Sequence, residues 1–407
     1  MSGASHMQDG HGIEGCILCG ARTSLKVLEV ARAPLHPFAP PAGLGLAPGF
    51  GTLDIVACSS CGHLYNAAFD LSRAEDLYAA NVLTNMPVSP EMVQNLEDTA
   101  RFVLAHAKPN PVVADVGGGS GALAVALAQH AREVHLVEPS RALSTERFAG
   151  TGVRLHSSMF PAASLAGVRF DVIVCRQVIE HVAHPAPFLA ALRAHLAPGG
   201  VVYLELPRAE YIEAAASIVD FHYPHVHYFR EREIALLVRR IGFETVSSMA
   251  LKDGHDIGFV LKRALPEPEA AAPCQEAGAL RQALRERRAL GQRRLDSIKG
   301  AVALYGANAY AQALLGLYPG PGPFQAVLDD TPMYAGQRAY GAGHDIPIVA
   351  PSAKLLGTLS TIVITAYLHD AAIARKLERL GWKGLLYTVR ADPLAGKDGR
   401  PPSLFGA

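Results

Sequence analysis

Mainly apolar residues recur in short runs along the middle of the chain, separated by longer stretches with the composition of helices. Runs of four or five such residues, bounded by glycine, proline or charged residues, are typical of buried parallel strands. The runs cover residues 112–116, 134–137, 170–174 and 201–204, and the helix-like stretches include 90–107, 122–131 and 185–196. Strands that alternate with helices in this way predict a doubly wound α/β sheet, in which ligands bind at the carboxyl ends of the strands.

The same alternation returns towards the C-terminus. Three mainly apolar runs and one helix-like segment indicate a second, Rossmann-like α/β unit; they lie at 300–305, 324–328, 361–365 and 310–317. A linker rich in Pro, Ala and Glu (266–273) and a charged helix predicted over 275–298 precede this unit. Two interpretations stay open at this point: the unit binds a ligand, or it only docks against the rest of the chain.

A glycine-rich turn follows the first central strand. Residues 115–121 read Asp-Val-Gly-Gly-Gly-Ser-Gly, and the next strand ends in Glu138. Glycine lets a ligand approach the backbone closely, and an acid at the end of the second strand can accept hydrogen bonds from ribose hydroxyls. The third glycine expected for a pyrophosphate at a helix N-terminus is missing, which favours S-adenosylmethionine over NAD. The alternative is a turn with a structural role only.

The carboxyl ends of the other central strands carry further candidates for the same ligand site. Arg176 and Gln177 follow the third strand, and Glu205 ends the fourth. Because the carboxyl ends of parallel strands meet at one edge of the sheet, we expect these side chains to lie near the glycine turn.

Four cysteines form two close pairs near the N-terminus. Cys16 and Cys19 make one C-x-x-C motif, Cys58 and Cys61 make the other, and a glycine follows each pair. Two such motifs are typical of a closed tetrahedral site for structural zinc. Two unrelated pairs, or a redox centre, are the alternatives.

The composition limits the range of partners. The 407 residues include 37 Lys plus Arg and 37 Asp plus Glu, so no basic surface for nucleic acid or anionic membrane is indicated. No apolar run approaches the roughly 18 residues of a membrane span, and no signal-peptide pattern opens the chain. We therefore expect a cytoplasmic protein that binds a small molecule, and the oligomeric state stays open.

Taken together, these motifs resemble those of the three-domain deoxysugar C-methyltransferases. The resemblance is carried by the two C-x-x-C motifs, residues 115–121, Glu138-Pro139-Ser140, 170–173, 178–182, 305–307 and 328–330. It implies a zinc module at 12–70, a class I methyltransferase core at 71–265, a linker and bridging helix at 266–298, and a Rossmann-like domain at 299–407. It also implies C-methylation of a keto-deoxysugar, with the nucleotide to which the sugar is linked held by the C-terminal domain.

The resemblance also implies roles for residues of the cofactor site. The methionine part of S-adenosylmethionine would lie against Asp115, Gly117, Gly119 and Gly121. The ribose would be held by Glu138, with Pro139 next to it, and adenine would lie beside Ser158 or Met159.

The chain departs from the family at two places near the acceptor. The family has an acid between two histidines, whereas this chain has Val226 between His225 and His227. The family also has a tyrosine pair after Tyr78, whereas this chain has Asn-Val-Leu at 81–83. These differences favour an alternative, an O- or N-methyltransferase for a specialised metabolite on the same architecture. An alternative from another class is a non-catalytic scaffold that binds S-adenosylmethionine.

A group of histidines is the candidate catalytic site. A neutral imidazole can accept a proton near neutral pH. His222, His225 and His227 are therefore candidates for a base or for acceptor binding, for a purely structural cluster, or, with Asp220, for a metal site. His181 is predicted either to reach the pocket from the end of a strand or to cap the following helix.

Overall fold

The computed structural model describes residues 12–36, 49–79, 86–87, 90–267, 269–272, 277–320, 322–392 and 394–406. The Asn-Val-Leu segment at 81–83, most of the Pro/Gly-rich excursion between the cysteine pairs, and part of the linker lie outside the described residues.

The N-terminal part forms a small antiparallel sheet around the cysteine pairs. Its strands are β1 (Ser24–Pro34), β2 (Phe50–Cys58), β3 (Leu64–Asn66) and β9 (His227–Tyr228), in the order β1-β2-β3-β9. The last strand comes from far along the chain. Its Tyr228 pairs with Leu64 of β3. The N-terminal sheet is therefore completed by a segment of the central part.

The central part is a seven-stranded sheet. Its strands are β4 (Val112–Val116), β5 (Glu133–Val137), β6 (Val153–His156), β7 (Phe170–Arg176), β8 (Leu196–Pro207), β10 (Phe243–Leu251) and β11 (Asp256–Arg263). The order is β10-β11-β8-β7-β4-β5-β6, and β11 runs antiparallel to both of its neighbours. This is the arrangement of a class I methyltransferase, so the predicted fold class is confirmed.

Helices surround this sheet and connect its strands. They are α1 (Ala74–Ala79), α2 (Pro90–Leu104), α3 (Ala122–Ala128), α4 (Pro185–His195), α5 (Ala209–Ala215) and α6 (Glu231–Ile241). The predicted helices at 90–107, 122–131 and 185–196 are present, with C-terminal ends one to three residues earlier than expected. The central strands β4 and β7 read as continuous apolar runs because both faces of the sheet are covered.

The C-terminal part is a second α/β sheet of six strands. They are β12 (Val302–Tyr305), β13 (Phe324–Leu328), β14 (Arg338–Gly341), β15 (His344–Val349), β16 (Thr361–Ile364) and β17 (Leu385–Thr388). The order is β14-β15-β13-β12-β16-β17, and only β14 is antiparallel to its neighbour. Sequence patterning predicted β12, β13 and β16 and missed the other three. The helices of this part are α8 (Ala309–Leu317), α9 (Ala353–Leu356) and α10 (Asp370–Arg379).

The charged helix α7 (Ala277–Ser297) joins the three parts. Its Arg288 donates hydrogen bonds to the carbonyl of Glu29 in β1 (3.2 Å) and to that of Leu317 in α8 (3.0 Å). Its Arg287 donates to the carbonyl of Ala215 in the central part (3.4 Å). Buried side chains of all three parts also belong to one apolar cluster, so the sheets pack as one body.

A buried polar network connects the central and C-terminal parts. His255 lies between two carboxylates, with Nδ1 2.5 Å from Asp256 Oδ1 and Nε2 2.9 Å from Asp220 Oδ1. The hydroxyl of Tyr367, from the C-terminal part, donates to Asp220 at 3.3 Å. Burial alone would lower the pKa of His255, but Asp256 and Asp220 outweigh it and raise the pKa to about 9. His255 is therefore an imidazolium in the folded protein at neutral pH.

The charge of His255 makes stability depend on pH. Because the folded pKa of about 9 exceeds the unfolded value of about 6.5, the stabilisation is complete below pH 6.5 and is lost as pH rises towards 9. We predict that the free energy of unfolding falls by up to about 3 kcal/mol over this range in the wild type, and by much less in His255→Asn. Denaturant unfolding at both pH values measures this difference. An exposed-site variant, His130→Gln, should behave as the wild type. Equal pH dependence in wild type and His255→Asn would contradict the assignment.

Candidate active site

The glycine turn after β4 has a backbone conformation that residues other than glycine rarely adopt. Gly117 and Gly119 have φ angles of 67° and 57°, in the left-handed region that favours glycine. A Cβ on Gly117 would lie 2.4 Å from Cγ2 of Val178, so the turn packs directly against the segment that follows β7. The turn and that segment are therefore parts of one surface at the carboxyl edge of the central sheet.

Glu138 ties the end of β5 to this turn. Its Oε2 accepts a hydrogen bond from the amide of Gly119 (2.8 Å), and its Oε1 accepts one from the amide of Ser140 (2.9 Å). The side chain is buried, which raises its pKa, while the two amides act in the opposite direction. Each carboxylate oxygen has a second lone pair that can accept from a ligand hydroxyl. Pro139 beside it is partly exposed.

Asp115 lies at the end of β4 and is 1% exposed. Its Oδ2 has no hydrogen-bond partner. Burial raises the pKa of Asp115 to about 7, an effect that Arg176 opposes and Glu138 reinforces. A buried polar atom without a partner is costly, so this oxygen is suited to accept a hydrogen bond from a ligand.

The side chains of Arg176 and Gln177 lie within a buried polar network at the same edge. Arg176 makes a bidentate ion pair with Glu205, with Nε to Oε2 at 2.9 Å and Nη2 to Oε1 at 3.1 Å. The side-chain amide of Gln177 donates to Asp256 (2.9 Å), which also pairs with Lys252 at 2.5 Å. These contacts hold the strand ends together, and they place both predicted residues next to the candidate site.

The segment proposed for adenine follows β6. The hydroxyl of Ser158 is buried without a hydrogen-bond partner, whereas Met159 is 44% exposed. The unpaired hydroxyl is suited to a hydrogen bond with a base edge, and the exposed thioether offers an apolar contact.

Three of the four predicted catalytic histidines form one cluster with Glu180. The ring of His225 lies 3.8 Å from that of His222 and 4.8 Å from that of His181, measured between centroids. Glu180 belongs to a short 3-10 helix, Ile179–His181, that begins three residues after the end of β7. Ligand atoms of Glu180, His181 and His225 lie within 4.8 Å of one another. We call these four residues, Glu180, His181, His222 and His225, the His–Glu cluster.

Burial sets the protonation of the His–Glu cluster. It lowers the pKa of His181 to about 4, that of His222 to about 3 and that of His225 well below its usual value. Burial raises the pKa of Glu180 to about 8. The imidazoles are therefore neutral at neutral pH, and the carboxyl group becomes ionised at neutral pH when a cation is near.

His227 lies in a separate hydrogen-bonded chain. Its Nδ1 is 3.2 Å from Nε2 of His63, whose Nδ1 is 3.1 Å from Glu233, and its Nε2 is 3.2 Å from the carbonyl of Ala183. His63 lies two residues after Cys61 of the second cysteine pair, so this chain connects the N-terminal part to α6. The structure thus brings His225 and His227 into different surroundings, although they are two residues apart.

The four N-terminal cysteines come together as predicted from their spacing. Sγ of Cys16 lies 3.5 Å from that of Cys61, and Sγ of Cys19 lies 3.5 Å from that of Cys58. Thiolates bound to one Zn²⁺ at 2.3 Å in a tetrahedron are about 3.8 Å apart, so the spacing fits a metal. A glycine in the left-handed region follows each pair, with φ of 74° at Gly20 and 77° at Gly62.

Glu180 is the residue of this site that sequence reasoning missed. It lies in the motif at 178–182 but is not among the site residues that the sequence predicts. The available signal was its position four residues after the end of β7, because acids close behind a buried parallel strand lie at the ligand-binding edge of the sheet.

The residues at this edge fit S-adenosylmethionine. Asp115 and Ser158 provide unpaired buried oxygens, Glu138 has free lone pairs, and the glycine turn provides a close backbone approach. The carboxyl edge of a doubly wound sheet, with a glycine turn and an acid at the end of the next strand, is where such folds bind nucleoside-containing ligands.

Comparison with known proteins agrees with this class. The family described as "Methyltransferase domain" matches residues 90–248. Ubiquinone biosynthesis O-methyltransferases are among the relatives. That of Xanthomonas axonopodis pv. citri is 30% identical over 170 residues, which is 36% of this chain and 70% of the relative. That of Burkholderia pseudomallei is 28% identical over 168 residues, with the same two coverages.

Solved structures also match the chain. An S-adenosylmethionine-dependent methyltransferase from Clostridium acetobutylicum matches with a TM-score of 0.37 and 13% identity, over 42% of this chain and 92% of that one. The 1,6-didemethyltoxoflavin-N1-methyltransferase of Burkholderia thailandensis matches with a TM-score of 0.34 and 20% identity, over 42% and 78%.

The chain belongs to the class I S-adenosylmethionine-dependent methyltransferases. It is an enzyme, and the predicted methyl donor is supported. The family match ends before the C-terminal part and begins after the cysteine pairs. Among the described residues, no helix has the length and apolar character needed to cross a membrane.

Proposed function

We propose that the enzyme transfers a methyl group from S-adenosylmethionine to an oxygen atom of a small polar acceptor held at the His–Glu cluster. The observation that carries this proposal is the position of the cluster. Its Glu180 and His181 lie two and three residues after Val178, which packs against Gly117 of the cofactor turn. An acceptor at the cluster would therefore be adjacent to the methyl donor.

The residues that would hold the cofactor are those at the carboxyl edge of β4 to β7. They are Asp115, Gly117, Gly119, Gly121, Glu138, Pro139, Ser158 and Met159, with Arg176 and Gln177 keeping the strand ends in place. The bound cofactor supplies an electrophilic methyl group on a positively charged sulfur. Asp115 and Glu138 are buried and take part in no ion pair among the described residues, which favours a cationic ligand.

The imidazoles of the cluster are proposed to bind the acceptor and to receive its proton. With a pKa of about 3, His222 would not remove the proton beforehand, so the proton would move to it as the oxygen gains the methyl group and becomes strongly acidic. Nδ1 of His222 is buried without a partner, so it is free to accept a hydrogen bond from an acceptor hydroxyl. His181 is fixed by a hydrogen bond from its Nδ1 to the carbonyl of Pro224 (2.8 Å) and is proposed to orient the acceptor. The partners of His227 favour a structural role for that residue.

An oxygen acceptor is supported by the relatives, several of which are named O-methyltransferases. Methylation of a nitrogen atom is a variant of this proposal. Methylation of either atom requires that the acceptor be positioned against the methyl group and lose one proton. The cluster can position the acceptor and take up the proton.

A second candidate is C-methylation of a nucleotide-linked keto-deoxysugar. It is favoured by the three-part arrangement and by Glu180, a carboxyl group beside imidazoles that compensates for the missing acid at Val226. We place it second because the relatives that match the central part are named O-methyltransferases.

We also propose the division into segments 12–70, 71–265, 266–298 and 299–407. Three separate sheets support it. The pairing of β9 with β3 means that the first two segments fold together.

The four-cysteine site is proposed to hold one structural zinc ion. Its donor set consists of four sulfurs, and Cys16, Cys58 and Cys61 are buried in one apolar cluster with Phe229 and other core residues. Four thiolates leave no open position on zinc, so the ion would stabilise the fold without taking part in chemistry.

Zinc content tests this assignment. Cys58→Ser should remove about one zinc per chain relative to the wild type and lower the unfolding temperature, since the ion links the two C-x-x-C motifs. Elemental analysis after dialysis measures the content. Cys175→Ala, at a buried cysteine outside the site, is the matched control and should keep the zinc. Unchanged zinc in Cys58→Ser would disprove the site.

Methyl transfer tests the function. With ¹³C-methyl S-adenosylmethionine and a panel of phenols, hydroxy acids and nucleotide-linked keto-deoxysugars, we expect a product whose labelled methyl is attached to oxygen. His222→Gln should lower kcat by about 100-fold, the size of a proton-transfer contribution, with affinity for S-adenosylhomocysteine unchanged. NMR identifies the product, and release of S-adenosylhomocysteine gives the rate.

The outcomes separate the candidates. A methyl group on carbon of a nucleotide-linked sugar would replace the first candidate by the second. Full activity of His222→Gln would contradict the proposed role of His222 in accepting the proton. The exposed-site variant His130→Gln serves as the control and should retain wild-type kcat.

A further inference from the structure

Two groups of side chains among the described residues bring metal-binding atoms close together. One is the four-cysteine site. The other consists of Glu180, His181 and His225, whose ligand atoms lie within 4.8 Å of one another. Ligand atoms bound to one ion at about 2.1 Å are about 3.0 to 3.4 Å apart, so Glu180 and His225 would have to turn towards Nε2 of His181 to coordinate the same ion.

Glu180 needs a partner that the described protein does not provide. The residue is 2% exposed, and neither of its carboxylate oxygens has a hydrogen-bond partner. Buried carboxyl groups in proteins are normally hydrogen-bonded, paired with a cation or bound to a metal. Its nearest polar neighbours in the cluster are imidazoles, which are ligands for the same cations.

His181 is prepared as a ligand by the groups around it. Its Nδ1 is 2.8 Å from the carbonyl of Pro224, so Nδ1 carries the proton and Nε2 keeps its lone pair. Tyr78 donates from its hydroxyl to the carbonyl of His181 at 3.0 Å and lies 3.4 Å from that of Pro224. Metal-binding histidines commonly donate their other ring N–H to a carbonyl in this way, because the hydrogen bond fixes the tautomer and the ring orientation.

Backbone hydrogen bonds fix the segments that carry Glu180 and His225 relative to each other. The amide of Val226 donates to the carbonyl of Glu180 at 2.8 Å, and the amide of Asn66 in β3 donates to the carbonyl of Val226 at the same distance. The residue next to His225 is therefore bonded both to the 3-10 helix that carries Glu180 and to the N-terminal sheet. The positions of the two segments relative to each other do not depend on an ion.

We propose that Glu180, His181 and His225 bind a divalent cation at the carboxyl edge of the central sheet. Two imidazoles and one carboxylate suit Mn²⁺, Fe²⁺, Co²⁺ or Zn²⁺ and leave coordination positions open. This set differs from the one suggested by spacing alone, since Asp220 is bonded to His255 and His227 to His63.

The open positions give the cation a role that rests on the proposed function. An acceptor hydroxyl bound to the cation would become more acidic, as water does on a bound metal. His222, with its unpartnered Nδ1 beside His225, would remain to receive the proton. An acceptor with two neighbouring oxygens would be favoured, because it can chelate the ion.

Binding of Mn²⁺ tests the proposal without an acceptor. Mn²⁺ prefers oxygen and nitrogen ligands over thiolates, so it reports on this site while zinc remains on the cysteines. We expect one bound Mn²⁺ per chain by electron paramagnetic resonance titration, with pulsed spectra showing coupling to histidine nitrogen. Glu180→Gln and His225→Gln should each weaken binding by about 10-fold or more.

The matched control is His227→Gln, which replaces a buried histidine two residues away and should leave the Mn²⁺ affinity unchanged. S-adenosylhomocysteine binding checks that each variant is folded. If no Mn²⁺ binds to the wild type at millimolar concentration, if nitrogen coupling is absent, or if Glu180→Gln binds as the wild type does, the site is disproved. Because no acceptor is present, these results do not depend on whether the proposed methyl transfer is correct.

Discussion

The burial of carboxyl groups at the carboxyl edge of the seven-stranded sheet is the constraint on which the rest of the site depends. Burying an ionised carboxylate is costly unless a cation or hydrogen-bond donors compensate. Glu205 is compensated by Arg176, Asp256 by Lys252, and Asp220 by His255. Asp115 and Glu180 have no ion-pair partner among the described residues, and Glu138 has two backbone amides only. The edge is thus suited to positively charged ligands, such as a sulfonium cofactor.

All three parts of the chain contribute to holding this edge. The segment that carries the cluster histidines continues into β9, which completes the N-terminal sheet. The chain of His227, His63 and Glu233 joins the same segment to the second cysteine pair and to α6. On the other side, Tyr367 of the C-terminal part bonds to Asp220, two residues before His222. The N-terminal part with the two cysteine pairs is therefore physically connected to the segment that carries His222 and His225.

Local sequence signals predicted much of the fold. Continuous apolar runs identified the buried strands, since parallel strands covered on both faces need no polar alternation. The glycine turn with Asp115 and Glu138 could be recognised because its chemistry lies within about 25 residues. Strands β14, β15 and β17 were missed, as were β6, β10 and β11 of the central sheet. Length is not the reason, because the predicted strands β12 and β16 are no longer than these three. Strands β14 and β17 lie at the two edges of their sheet, and Pro347 interrupts the strand pattern of β15.

The grouping of the histidines could not be predicted from their spacing in the sequence. Two residues apart in an extended strand, His225 and His227 would share a face. Only His227 and Tyr228 are in the strand, however, and a turn closed by the amide of His225 and the carbonyl of His222 (3.1 Å) precedes it. The side chains consequently face different partners. The association of Glu180 with His225, and of Asp220 with His255, depends on packing between segments 35 to 45 residues apart, for which the sequence has no local signal.

The most direct test of this account is calorimetric titration of S-adenosylhomocysteine into the wild type, Glu138→Ala and Glu180→Gln. The account predicts that the wild type binds and that Glu138→Ala binds about 10-fold or more weakly, because a ribose contact and the anchor of the glycine turn are lost. Glu180→Gln should bind as the wild type does, because Glu180 is assigned to the acceptor side. Equal affinity of Glu138→Ala and the wild type, with both variants folded, would contradict the assignment of this edge as the cofactor site.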